Sequence, residues 1–200
     1  MNAEINVNDI FNTYIHTNPE ESIALVQFTG FISKFSGTDL FDRKNFEGHI
    51  TASAMIINAH DSTLLFIKHK ALGRWLQPGG HVDEDDESIL AAAIREVSEE
   101  TGIEPQNLRL LPPAQDEQVP IDIDTHLIPA KPNKNEPAHY HHDFRYLFLY
   151  NGNNAIVFNT QEAMDVKWES LEMAEEDSGF ERSIGKIRNL LGTELHPGSV

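Results

Sequence analysis

The stretch GGHVDEDDESILAAAIREVSEETGI, from Gly79 to Ile103, sets the tightest limits on how this chain can fold. Pro78 and the two glycines after it require an irregular backbone, since glycine enters turn conformations without a Cβ clash. Five successive acids follow, Asp83 to Glu87, and then Leu90, Ala93, Ile94 and Val97 return at helical spacing. That period predicts a helix from Ser88 to Thr101 with one buried stripe, stopped by Gly102. A sharp turn, an acidic loop and an amphipathic helix thus form one unit, and the rest of the chain must supply a surface for the stripe.

On such a helix Glu96 and Glu100 are four residues apart, as are Arg95 and Glu99, which brings each pair within about 6 Å between Cβ atoms. The Arg95–Glu99 pair is favourable, whereas Glu96 facing Glu100 costs roughly 0.2–0.5 kcal/mol unless a cation lies between them. A hard divalent ion removes that cost. Magnesium prefers oxygen ligands, keeps several waters and bridges one or two carboxylates to substrate phosphates. A solvated acidic face is the ordinary alternative for a Glu-rich helix. The glycine pair upstream and the arginine among the glutamates favour a built site.

Charge limits the partners. Acids outnumber Lys and Arg 32 to 15, a formal charge of −17. No nucleic-acid partner is expected, and an anionic ligand must be met by local cations or metal. The absence of cysteine excludes disulfides, thiolate metal sites and cysteine nucleophiles. The start, MNAEINVNDIF, lacks the basic and apolar regions of a signal peptide, and no run approaches the ~18 apolar residues of a membrane span. A cytoplasmic protein with no membrane partner is expected.

Residues 1–45 read as a helical extension. Ile10, Phe11, Tyr14 and Ile15 share one helix face, and Asn18-Pro19-Glu20-Glu21 starts a second helix. The apolar residues Ile23, Leu25, Val26, Phe28, Phe31, Ile32 and Phe35 exceed one face of a small helix, so they pack on the main domain or on a second copy. A homodimer through this extension is one expectation. A hairpin follows, from His49–Ile57 and Thr63–Ile67, and further strands are expected at Leu108–Leu111, Ile121–Ile128, Phe144–Tyr150 and Val166–Trp168, with a last helix near Arg182–Leu191. The proline-rich stretch from Leu111 to Pro137 is expected to be in part a loop over the site.

The acidic unit also resembles the box of the NUDIX hydrolases, G-x5-E-x7-R-E-U-x-E-E-x-G-U with U aliphatic. Glu87, seven residues, then Arg95-Glu96-Val97-Ser98-Glu99-Glu100-Thr101-Gly102-Ile103 meet every position from the glutamate onward. The departure is upstream, where six residues rather than five separate Gly80 from Glu87. Asp83-Glu84-Asp85-Asp86 then has no assigned role and is expected to be a solvated loop one residue longer than usual. The resemblance implies an α/β/α sandwich with a mixed sheet over residues 46–192; residues 193–200, at the chain end, are expected to be a flexible tail. It also implies a Mg²⁺- or Mn²⁺-dependent hydrolase that cleaves the diphosphate of a nucleoside diphosphate derivative, such as ADP-ribose or a nucleotide sugar. Glu96 and Glu100 become metal ligands, Glu99 a further ligand or the base, the Gly80 carbonyl an additional ligand, and Arg95 the partner of Glu87. Some relatives use a glutamate outside the box as base; Glu162 is the residue to test, with an ordinary loop acid as its other reading. A non-catalytic NUDIX-like sensor module is the alternative function.

For the substrate side, His139 and His141 alternate along an extended chain and could share a face. Structural packing, substrate contact and a second metal site are all open to them. Arg145 could meet a phosphate or pair with Asp143. Arg74 and His81, flanking the glycine turn, are expected at the pocket rim.

Overall fold

The computed structural model describes residues 5–70, 72–152, 156–176 and 179–195; residues 196–200, most of the expected tail, lie outside the described residues. The chain opens with α1 (Val7–Thr17), a 3-10 turn at Pro19–Ser22 and α2 (Val26–Lys34). Then come β1 (Gly48–Asn58), β2 (Leu64–His69), β3 (Trp75–Leu76) and β4 (Gly79–His81), followed by α3 (Ile89–Thr101). The remainder is β5 (Leu108–Leu110), β6 (Asp122–Ile128), β7 (His139–Tyr150), β8 (Ala163–Glu169), α4 (Leu171–Glu175) and α5 (Glu181–Leu195). Among the described residues no helix is long and apolar enough to cross a membrane.

All eight strands join one mixed sheet. Its axis is the parallel pairing of β1 with β7, in register from Gly48↔Tyr140 to Asn58↔Tyr150. The other edge of β1 is divided. Thr51, Ala52 and Ser53 pair antiparallel with β4, while Ile57 pairs with Leu64 of β2. The far edge of β7 is covered by β6 and then β5. Every residue of β1 is buried, as expected for a strand with neighbours on both edges and layers on both faces.

Alternation along β1 sorts the two layers. Ile50, Ala52, Ala54 and Ile56 face a core shared with α1, α2 and the apolar stripe of α3, namely Ile89, Leu90, Ala93 and Val97. Met55 and Ile57 face the second core, built with Leu147, Ile184, Ile187 and Ala174 under α5 and α4. The α/β/α architecture follows. On the second face the amino-terminal half of β1 is polar, with His49, Thr51 and Ser53 all buried.

Phe28 is fully buried and meets Phe11, His142 and Phe144 at centroid distances of 5.0–5.6 Å. The apolar excess of the extension is therefore covered by this chain's own sheet, leaving Ile23 and Val26 exposed. The helix expected from Pro19 is split into the 3-10 turn and α2. In that conformation Glu21 is buried and reaches Tyr14 and Lys186. A polar network completes the attachment. Asp122, fully buried, is met by Arg182 at 2.7 Å, Ser183 at 2.8 Å, Lys186 at 3.1 Å and Arg145 at 3.2 Å, and Tyr14 accepts a hydrogen bond from the Ile123 amide at 3.1 Å. Burial alone would raise the Asp122 carboxyl, but Arg145, Arg182 and Lys186 outweigh it and hold it well below the ordinary range.

Phe28→Ala is expected to destabilise the whole domain by about 3–5 kcal/mol, since it removes a core ring between two layers. Urea unfolding measures this, and a change below about 1 kcal/mol would show that the extension is not part of the domain core.

Candidate active site

The glycine turn and α3 meet through β4. The Gly79 amide donates to Glu100 at 2.8 Å. A Cβ on Gly80 would lie 2.5 Å from the nearer Glu96 oxygen, and one on Gly79 would lie 2.4 Å from Ser53 Cβ. Glycine is required at Gly79 by close approach to the sheet backbone, whereas a side chain at Gly80 would displace the Glu96 carboxylate from its present seat. Ser88 caps α3, accepting from the Ala91 amide at 3.0 Å. At the other end Gly102 takes a left-handed φ of 67°, and a Cβ there would lie 2.6 Å from the Val157 carbonyl. This lets residues 156–162 run against the helix end, where the Asn159 amide donates to the Glu100 carbonyl at 2.9 Å, a group the helix leaves unpaired.

Arg95 organises the glutamates. Its Nε and Nη2 bond the two oxygens of Asp86 at 3.0 and 2.9 Å, its Nη1 bonds Glu96 at 3.0 Å and Glu99 at 3.1 Å, and Nη2 also donates to the His81 carbonyl at 2.9 Å. Hydrogen bonds to Asp86 contribute most to holding the guanidinium protonated. Here the sequence expectation needs correction: the partner of Arg95 is Asp86, and Glu87 is exposed and outside the network. Asp86 is 7% exposed, so it is not part of a solvated loop. The physical reason is a turn in which the Asp83 amide donates to Asp86 Oδ2 at 2.8 Å and the Asp86 amide to the Asp83 carbonyl at 3.1 Å, aiming the short side chain at Arg95. Counted from Gly80, Asp86 lies at the spacing of five. The extra residue is absorbed between Asp86 and Ser88.

Two carboxylates are left without full compensation. Glu100 is 3% exposed, and among the described residues it pairs with no cation. Burial pushes its carboxyl up to about 8; the Gly79 amide opposes this, while Glu96, Glu162 and Glu99 add to it. Glu96 is also raised, first by burial and against the pull of Arg95. Glu162 acts on both, so the fold brings this exposed residue to the same cleft. A cavity of about 380 Å³, lined by His69, Lys70, Gln161 and Glu162, opens beside it. Buried acids, a glycine seat against one of them and a neighbouring cavity suit an oxygen-liganded divalent cation.

The remaining expectations separate. Arg145 is buried and bonded to Asp122, Asp124 and Asp143 at 3.0–3.3 Å. It serves the polar network and does not line the cleft. Arg74 is exposed at the β2–β3 turn. His139 and His141 do share a face, but with His49 and His81, across β7, β1 and β4. Burial, then neighbouring positive charge or imidazole, pushes His49 down to about 4, His81 to about 3 and His141 to about 2, so all three are neutral near pH 7. Sequence reading missed His49, and gave Asp143 only as a partner for Arg145. The available signal was β1 itself, where His49, Thr51 and Ser53 alternate with apolar neighbours. Asp143 accepts from Ser53 at 2.7 Å, Thr51 at 3.1 Å and Gln77 at 3.1 Å on that face.

Comparison with known proteins is consistent with this geometry. The NUDIX domain family model matches residues 48–189. A probable DHNTP pyrophosphohydrolase of Lactococcus lactis subsp. cremoris is 33% identical over 147 residues, covering 74% of this chain and 78% of that protein. Among solved structures, a C. elegans Ap4A hydrolase binary complex has a TM-score of 0.54 at 21% identity, covering 72% of this chain and 97% of that one. The E. coli dihydroneopterin triphosphate pyrophosphohydrolase has a TM-score of 0.55 at 17% identity, covering 72% and 95%. The two structures share the fold.

Two outcomes are expected. Asp86→Asn should cost about 2–3 kcal/mol, less than a fully buried pair because Arg95 keeps a quarter of its side chain exposed, while Glu87→Gln should leave stability unchanged; equal effects would return Glu87 to the network. For Glu100 the folded value near 8 lies above the ordinary 4.5. The native state therefore binds the extra proton, and this stability is lost as pH rises through 8. The depressed histidines act in the opposite sense and level off about one pH unit above their ordinary 6.5. In EDTA, the thermal stability of the unsubstituted protein relative to Glu100→Gln should therefore fall between pH 6.5 and 8.5, since the histidines are common to both. An identical pH profile in both proteins would refute the assignment.

Proposed function

We propose, because the chain belongs to the NUDIX domain family, that it is a divalent-metal-dependent pyrophosphohydrolase acting on a small nucleotide-type phosphoanhydride. The observation that carries this reading is the uncompensated Glu100, buried beside Glu96 and the Gly80 turn, in a protein that elsewhere pairs its buried acids with Arg or Lys. Glu96, Glu100, Glu99 and the Gly80 carbonyl would hold Mg²⁺ or Mn²⁺. When bound, such an ion neutralises a diphosphate, polarises phosphorus and lowers the pKa of water.

The chain's own residues supply the rest. Arg95 fixes the orientation of Glu96 and Glu99 and, through the His81 carbonyl, holds the turn against α3. Of the two residues able to take a proton from the attacking water, Glu99 is engaged by the Arg95 guanidinium at 3.1 Å, while among the described residues Glu162 is met by the Asn159 amide at 3.5 Å. This favours Glu162 as proton acceptor, with Glu99 as a ligand. Lys70, on the same cavity, supplies positive charge for a substrate phosphate. The 33% identity to a probable DHNTP pyrophosphohydrolase supports a heterocycle-bearing polyphosphate as the substrate class.

A panel of DHNTP, ADP-ribose, nucleotide sugars, dinucleoside polyphosphates and nucleoside triphosphates should yield phosphate-containing product only with Mg²⁺ or Mn²⁺. Saturable binding without turnover across the panel would favour a sensor. Glu100→Gln should reduce the rate beyond the ~10–100-fold typical of losing an outer-shell partner. Glu162→Gln should cost ~10²–10⁴-fold in kcat with metal affinity retained; a near-normal rate there, with a large loss in Glu99→Gln, would transfer the base role to Glu99.

A further inference from the structure

The glutamate cleft leaves unexplained a second cluster of metal-ligating groups on the polar end of the sheet. His49 on β1, His141 on β7 and His81 on β4 come together because His49 is in register with His141, and Thr51, two residues along β1, with His81. Their ring centroids are 4.5–5.6 Å apart, and one ring nitrogen from each lies within 4.8 Å of the other two. His49 is 1% exposed, and neither ring nitrogen has a hydrogen bond of good geometry, although the Asn45 carbonyl is near enough to favour the protonated ring. An imidazole buried with so little hydrogen bonding is costly, because its polar atoms have lost water without full replacement.

We propose that His49, His81 and His141 form a tri-imidazole site for a borderline divalent transition metal of the zinc class, separate from the glutamate site. The donor chemistry decides the ion: neutral imidazoles suit Zn²⁺ and its neighbours, whereas Mg²⁺ takes oxygen. A zinc ion about 2.0–2.1 Å from each nitrogen holds tetrahedral ligands ~3.4 Å apart, so each ring needs to move by under about 1 Å from its present position. The surroundings are prepared for such a site. His139, with Nδ1 2.9 Å from the Pro137 carbonyl, and His126, with Nδ1 2.8 Å from Asp124, pack their rings against His49 and His141 at centroid distances of 5.1–5.8 Å. Arg43 and Lys131 lie within electrostatic reach of His81 and temper the affinity. His81 directly follows Gly80 and its carbonyl binds Arg95, so an ion here ties β4 to β1 and β7 and fixes the Gly80 edge of the neighbouring cleft.

The test uses the full-length protein, stripped by chelation and titrated with Co²⁺. One equivalent should develop the visible absorption of a tetrahedral, nitrogen-ligated ion, and Zn²⁺ should displace it. His141→Ala and His81→Asn should each weaken that binding at least tenfold with the circular dichroism spectrum unchanged, whereas Glu96→Gln and Glu100→Gln should retain the band. The proposal is overturned by an octahedral spectrum, by undiminished binding in both histidine variants, or by imidazole ¹⁵N shifts that respond to inorganic phosphate and not to metal. Because the absorption is read without substrate, failure here would leave the pyrophosphohydrolase reading untouched.

Discussion

The parallel pairing of β1 with β7 is the interaction on which the rest of the molecule depends. It fixes one register over the full length of both strands, and that register sets the opposite faces of the sheet at once. A slip of one residue would send Ile50, Ala52 and Ile56 away from α3 and bring His49, Thr51 and Ser53 into an apolar core. The divided outer edge of β1 follows from the same strand: β4 takes the polar half and β2 the apolar half. The glycine turn is thereby delivered to the polar end of the sheet, against the glutamate face of α3.

Within that frame the chain handles its excess of acid by sorting it. Where a carboxylate is buried for architecture, a cation is built beside it: Arg145, Arg182 and Lys186 at Asp122, and Arg95 at Asp86. Breaking such pairs costs several kcal/mol, because the abandoned charge has no solvent to return to. Glu100 is treated differently, receiving a single backbone amide and three acidic neighbours. In a fold that compensates its other buried acids so fully, this deficit of positive charge is the feature that supports the proposed cation site.

Much of this was legible in the sequence. The period of α3, its glycine stop and the β1–β2 hairpin are local patterns, and each side chain's face follows from periodicity alone. The box glutamates were legible for the same reason, since their spacing is counted along one helix. What could not be read involves partners distant in the chain. Asp86 and Glu87 are both acids beside the expected position, and the choice between them is made by a turn that only the three-dimensional path of residues 83–86 defines. Arg145 resembles a phosphate ligand until Asp122, 23 residues upstream, folds beside it. Glu162 looks like any loop acid until Gly102 permits Val157 to approach the end of α3.

His139 and His141 show the same limit from the other side. Alternation placed them on one face, and the strand they occupy begins five residues before the Phe144 start that hydrophobicity indicated. The histidines disguised the strand, since a polar run seldom reads as a buried one. Their real company, His49 and His81, comes from two other strands, and no spacing rule connects residues 49, 81 and 141. A strand that exchanges apolar residues for buried imidazoles gives up hydrophobic stabilisation and accepts unpaired polar atoms. Packing alone does not require that exchange, and in the half of the sheet beneath β4 it is made on three strands at once. The convergence is therefore better explained by ligation than by architecture.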